Sequence, residues 1–143
     1  MSYLVDTNIL ARLANVSDAQ HAIVTQAVVE LHRRGETLHV TPQVLIEFRG
    51  VPGNRASRRR RWLSVLSAAE ADTQATGFEA AFSLLVDTPD NYPAWKAVVG
   101  ALAVIGKQVH DARLIAVCHV RAGQRSGASR RCVPKQELGN KRR

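Results

Sequence analysis

The sequence predicts an α/β fold, and two junctions carry that prediction. At Tyr3-Leu4-Val5-Asp6-Thr7-Asn8-Ile9-Leu10 a short apolar run ends in polar residues suited to capping the helix that follows. At Leu38-His39-Val40-Thr41-Pro42 a second strand candidate meets a threonine N-cap and a proline in the first helical turn, where a missing N–H is harmless. A strand that hands over directly to a helix, twice, is the repeating unit of an α/β protein. In open sheets of this class the ligand crevice lies beyond the carboxyl ends of the strands, which is where Asp6 falls.

The chain has 143 residues, 45% of them hydrophobic. That suffices for one domain burying roughly 68% of its unfolded surface, with no need of a metal or disulfide to hold the core. The longest apolar run, Ala97 to Ile105, is interrupted by Gly100 and is too short to span a bilayer, so no membrane association is expected. No basic and then hydrophobic leader opens the sequence, and Cys118 and Cys132 lack metal-ligand spacing. Reduced thiols in a cytoplasmic protein are therefore expected.

The net charge of +8 is unevenly distributed. Five arginines lie between Arg55 and Arg61, and residues 121–143 hold eight basic side chains against the single acid Glu137. The remainder holds seven basic and eleven acidic residues, so the body is mildly acidic. The arginine block fits either phosphate contact without sequence readout or an irregular solvated loop, and the loop is the simpler account.

Between and beyond the junctions the pattern is mostly helical. Ser17-Asp18 opens an amphipathic helix with Ile23, Val24, Ala27, Val28 and Leu31 on its apolar side and Gly35 at its end. From Gln43 to Arg49 the helix is apolar over most of its circumference, and Gln43 and Glu47, four apart, share its polar stripe. That stripe is either solvated or turned to a polar cleft; an acid flanked by Ile46 and Phe48 needs compensating partners if it is buried. Ser67 and Glu70 form a capping-box pattern that predicts a helix over 67–82, with Gly77 its weak point. Leu84-Leu85-Val86 reads as a strand and Asp87-Thr88-Pro89-Asp90 as a turn. Tyr92 to Ile105 is apolar at helical spacing through Trp95, Val98, Val99 and Leu102, with Gly106 as its stop. Val109 to Cys118 is apolar nearly all round beyond its first turn, as a central helix would be.

Asp111 falls in that first turn, where the helix dipole favours a carboxylate. Capping alone accounts for it, as N-capping does for Asp6. Together, however, a strand-end Asp, a helix-face Glu and a helix-start Asp have the types and placements that a site for a hard divalent cation requires. Carboxylates brought close repel one another unless a cation neutralises them. On nucleic acid, such clusters hydrolyse phosphodiesters: the metal lowers the pKa of a bound water, orients the phosphate and stabilises the leaving oxygen. Other chemistries lack support. The five histidines show no close pair except His32 and His39, astride a turn; His110 points 100° away from its neighbour Asp111. There is no glycine-rich phosphate loop and no serine or cysteine nucleophile motif. Trp62 and Trp95 read as core anchors. Lys107 and Arg113 flank the expected cleft and are candidates for RNA phosphate contact, with a solvated helix start as the simpler account.

Three blocks, Leu4-Val5-Asp6-Thr7-Asn8-Ile9-Leu10, Pro42-Gln43-Val44-Leu45-Ile46-Glu47-Phe48 and His110-Asp111-Ala112-Arg113-Leu114-Ile115-Ala116, in this order and at these separations, resemble the PIN-domain ribonucleases. The likeness is greatest to the toxins of bacterial VapBC-type toxin–antitoxin pairs. It covers about residues 1–120, interrupted near 50–66. The resemblance implies an α/β/α sandwich around a central parallel sheet, Mg²⁺ or Mn²⁺ as cofactor, RNA as substrate, a homodimer, and inhibition by a small antitoxin protein. It places Asp6, Glu47 and Asp111 at the family's catalytic, metal-coordinating positions. Asn8 resembles the polar residue that supports the first acid, and Thr7 is given a similar supporting part.

The departure is at the end of the chain. The family pattern continues past the central helix into a strand and a further Asp, whereas the residues after Val120 contain no Asp and no apolar strand run. The segment over 121–143 therefore reads as a basic, irregular tail, and its abrupt composition as a frame-shifted end with the last strand lost. The arginine block over 50–66 reads as a smaller event of that kind. Two alternatives stand beside this: the tail is an RNA-binding extension, and the whole chain is a catalytically degenerate PIN-fold module that binds an antitoxin or RNA without cutting.

Overall fold

The computed structural model describes residues 1–50 and 66–123. The arginine block, most of the basic tail and Cys132 lie outside the described residues. In chain order the elements are β1 (Ser2–Leu4), α1 (Thr7–Ala14), α2 (His21–Arg33), β2 (Thr37–Val40), α3 (Pro42–Gly50), α4 (Ala68–Ala81), β3 (Ser83–Leu84), α5 (Asn91–Leu102) and α6 (Gln108–Gly123). The chain divides into two compact units, one formed by Val5–Val86 and one by Met1–Leu4 with Asp87–Arg143.

In the Val5–Val86 unit, β2 and β3 pair in parallel, with His39 opposite Ser83 and Val40 opposite Leu84. The Val5 N–H donates to the His39 carbonyl and the Leu85 N–H to the Val40 carbonyl, each at 2.8 Å. Parallel pairing requires a crossover connection, and the segment carrying α3 and α4 joins β2 to β3. Leu10, Val40, Val44 and Phe48 are fully buried, with Val5, Leu38, Leu45, Ala71, Ala75, Phe78 and Phe82 around them. Phe48 meets Phe78 edge to face, centroids 5.2 Å apart, and Phe78 stacks on Phe82, geometries that the aromatic quadrupole favours. Helix α4 presents Ala71, Ala75 and Phe78 inward, one face at i, i+4 and i+7. Its start is fixed by the expected capping box: Ser67 N–H donates to Glu70 Oε2 at 2.7 Å, and Glu70 N–H to Ser67 Oγ at 3.2 Å.

Two expectations in this unit shift. Helix α2 begins at His21 and not at Ser17, because Asn15 and Asp18 accept the N–H groups of Ser17 and Gln20 on their side chains, at 3.1 and 2.8 Å. These local bonds hold the backbone in successive turns instead of a helix. The inward stripe of α2 is Val24, Val28 and Leu31, whereas Ile23 is 67% exposed; one residue of offset turns a side chain by 100°. Its end is as the glycine predicts. Gly35 has φ +71°, and the bonds Gly35 N–H to His32 O and Glu36 N–H to Leu31 O are those of a Schellman motif.

In the second unit, α5 packs against α6, and the Trp95 indole N–H donates to the Val109 carbonyl at 2.9 Å. The turn before α5 is built on buried Asn91, whose Nδ2 donates to Asp87 Oδ1 at 2.9 Å while its Oδ1 accepts from Thr88 Oγ1 at 3.1 Å. Helix α5 stops at Leu102, short of Gly106, because Ala103 takes the left-handed conformation with φ 47°, which ends the helical bonding. Helix α6 buries Ala112, Ala116 and Val117; side chains this small allow a neighbouring helix to approach closely. The expectation of reduced thiols concerns Cys118, on α6, and Cys132, which lies outside the described residues. Among the described residues no helix is long and apolar enough to cross a membrane.

Two outcomes follow. Phe48→Ala, which empties the centre of the core, is expected to cost about 3–5 kcal/mol in urea denaturation. Glu70 is held below its ordinary pKa of 4.5 by hydrogen bonds from the Ser67 backbone and then its side chain. A lowered carboxyl pKa stabilises above the unfolded value and ceases to do so as pH falls through the folded value. The thermal midpoint of wild type should accordingly exceed that of Glu70→Gln at neutral pH, with the difference closing below pH 4.5.

Candidate functional site

The junction after β1 decides what Asp6 does. Asp6 occupies the N-cap position of α1 with extended backbone, φ −87° and ψ 157°, yet its side chain makes no capping bond. Its carbonyl accepts the first helical N–H groups, from Ile9 at 2.9 Å and Leu10 at 3.3 Å. Its carboxylate instead accepts from Asn8 Nδ2 at 2.8 Å. Asp6 thus holds the cap position without using its carboxylate as a cap.

Thr7, the next residue, is buried, and its hydroxyl donates to Glu47 Oε2 at 2.8 Å across forty residues of sequence. From α3, Gln43 Nε2 donates to Glu47 Oε1 at the same distance. The polar stripe of α3 is therefore turned toward the start of α1, where the sequence left a choice between solvent and a cleft. The packing explains why: Val44, Leu45 and Phe48 bury the opposite arc of α3, and α1 packs against it. Glu47 is half-buried, so its charge needs the donors that Thr7 and Gln43 supply.

Gln43 is a part of this arrangement that sequence reasoning gave no role. Its Oε1 is buried and has no hydrogen-bond partner among the described residues. The amide cannot be reversed to relieve this, because its oxygen would then face the Glu47 carboxylate, acceptor against acceptor. An unmet buried acceptor costs about 1–3 kcal/mol. The signal in the sequence was the i, i+4 spacing with Glu47, read there only as a shared stripe.

As ligands, Asp6 and Glu47 offer carboxylate oxygens, with Asn8 donating to Asp6 and Thr7 and Gln43 to Glu47. An all-oxygen set of this kind fits Mg²⁺ or Mn²⁺ and does not suit softer metals. Among the described residues no group of three or more His, Cys, Asp or Glu side chains is arranged to hold a metal ion.

In the second unit Asp111 lies in the first turn of α6 and is half-buried. Arg113, a candidate for RNA phosphate, is engaged by the Asp87 carboxylate, the same group that anchors Asn91; the sequence gave no sign of this partner, 26 residues away. Lys107 is exposed just before α6, and its carbonyl accepts the His110 N–H at 3.2 Å.

The Thr7–Glu47 bond yields a stability test. Thr7→Val keeps the shape and removes the donor from a half-buried carboxylate, so it should destabilise the chain by about 1–3 kcal/mol in urea denaturation at pH 7, whereas Thr7→Ser should lose less.

No family model and no curated protein matches this chain. Solved structures do. The crystal structure of VapBC2 from Rickettsia felis bound to a DNA fragment from their promoter matches over 85% of this chain and 83% of that one, with a TM-score of 0.60 at 15% identity. That of VapC20 from Mycobacterium tuberculosis, described as a sarcin-ricin loop cleaving toxin, matches over 85% and 84%, with a TM-score of 0.55 at 22% identity. The fold of this chain, a parallel sheet flanked by helices, is the one those VapC structures have.

Proposed function

We propose that this chain is the toxin of a toxin–antitoxin pair: an endoribonuclease that uses Mg²⁺ or Mn²⁺ to hydrolyse RNA phosphodiester bonds. The observation that carries the reading is the disposition of Asp6 and Glu47. One carboxylate stands at a helix cap without capping, and the residue beside it ties down the other. Two similar folds support the toxin–antitoxin reading: VapC20 is described as a sarcin-ricin loop cleaving toxin, and VapBC2 as bound to a DNA fragment from their promoter.

In this proposal Asp6 and Glu47 hold the cation, with Asp111 as the third carboxylate that the family resemblance supplies. When bound, the cation lowers the pKa of a water and orients the scissile phosphate. The chain's own residues set the geometry. Asn8 orients Asp6, while Thr7 and Gln43 fix the two oxygens of Glu47. Lys107 is the phosphate contact in this scheme, since Arg113 is already engaged by Asp87. The partner is a small antitoxin protein, the assembly a homodimer of this chain, and the place of action the cytoplasm.

A second reading, a degenerate module that binds antitoxin or RNA without cutting, is favoured by one observation. Residues 124–143 contain no Asp, and Glu137 is their only acid, where the family pattern has a further Asp. Cleavage of a structured RNA with added Mg²⁺ or Mn²⁺ separates the two. The enzyme reading expects metal-dependent cutting that falls by at least about 100-fold in Asp6→Asn and Glu47→Gln. Equal cutting by wild type and variants would mark a contaminant and remove the support. RNA retention in a gel shift without any cutting would establish the second reading.

A further inference from the structure

Tyr92, in the first turn of α5, leaves a large ring in water. It is 65% exposed, and its hydroxyl has no hydrogen-bond partner among the described residues. The ring is nevertheless held in place. Trp95 stacks on it, centroids 5.7 Å apart and planes 25° from parallel, and the Trp95 indole is itself pinned by its N–H to the Val109 carbonyl at 2.9 Å. The Lys96 ammonium stands 5.8 Å from the Tyr92 ring centroid, a separation at which a cation is drawn to the π face. The surroundings favour one flat, charged ligand over an apolar protein face. Lys96, one turn on, shares a side of α5 with Tyr92, and the exposed positions beside them, Pro93, Ala97 and Gly100, carry little side chain. The bulky exposed residues Leu102 and Ile105 begin ten residues on, about 15 Å along the helix, and so form no continuous patch with the ring. Asp90, two residues before Tyr92, falls about 160° away around the helix axis.

We propose that Tyr92 is a stacking platform for one unpaired base of an RNA strand, with Lys96 taking the phosphate of that nucleotide. Every base has a π face, so an aromatic ring fixed by its neighbours accepts any of them, and a cation at its edge answers the charge of the adjoining backbone. The Lys96 ammonium rides on a flexible stem, which lets it yield the ring to a base and stay beside the phosphate. The proposal rests on the reading of RNA as the substrate of this chain. It concerns binding and not cleavage, so its test needs no metal.

The test titrates the full chain, with a chelator present, into two fluorescently labelled RNAs followed by anisotropy. One is an oligouridylate, whose bases stack little on one another; the other is a fully paired duplex, which offers phosphates but no free base. Tyr92→Leu is expected to weaken oligouridylate binding by about fivefold or more while leaving duplex binding unchanged, and Tyr92→Phe to keep the wild-type affinity. Urea denaturation of both variants should match wild type, because the ring is exposed. Unchanged oligouridylate affinity in Tyr92→Leu would overturn the proposal. So would an equal loss in Tyr92→Phe, which would assign the effect to the hydroxyl, or an equal loss on both RNAs, which would assign it to the fold. If Tyr92→Leu bound oligouridylate like wild type but lost self-association in sedimentation, the ring would belong to a contact with a second copy of the chain. A wild-type chain that binds neither RNA would remove the reading of RNA as substrate, and the proposal with it, a result distinct from any difference between variants.

Discussion

A single hydrogen bond, from the Thr7 hydroxyl to Glu47 Oε2, sets the terms for the rest of the candidate site. It requires that α1 begin at Thr7, which in turn requires Asp6 to lend its carbonyl to the first helical turn. It also requires that α3 present Glu47 toward α1, a rotation fixed by Val44, Leu45 and Phe48 on the buried side. A slip of one residue along α3 would swing Glu47 through 100°. The aromatic contacts of Phe48 and Phe78 oppose such a slip, so core packing and site geometry are one constraint.

The polar groups at this junction are matched donor to acceptor, with one exception. Asn8 serves Asp6, while Thr7 and Gln43 serve Glu47. Half-buried carboxylates in a medium less polar than water gain more from such bonds than exposed ones, and lose more when a bond is missing. The exception is Gln43 Oε1. An acceptor left unmet in such a network costs about 1–3 kcal/mol.

The second unit shows how ion pairing redirects a residue that charge alone would assign to a ligand. Asp87 accepts from Asn91 and engages Arg113, so one carboxylate organises both the turn before α5 and a side chain on α6. Arg113 contributes to this local structure. The likeness to VapC structures at 15% and 22% identity shows how little sequence such a fold needs to keep: burial pattern and strand-to-helix junctions suffice.

What the sequence determined by itself is local. The junctions at Asp6 and Thr41, the capping box at Ser67 and Glu70, and the glycine stop at Gly35 all appear where their residues predict, because caps and left-handed turns depend on a few neighbouring dihedrals. The candidate acids stood out in the sequence as a strand-end Asp6, a helix-face Glu47 and a helix-start Asp111. The rest was decided by tertiary structure. Whether Asp6 caps or is released from capping, whether Glu47 faces solvent or Thr7, and whether Arg113 is available or engaged each depend on a partner two to forty residues away. Only the packed chain sets those distances, since hydrogen bonds and ion pairs form by proximity in space, to which spacing along the sequence is nearly blind.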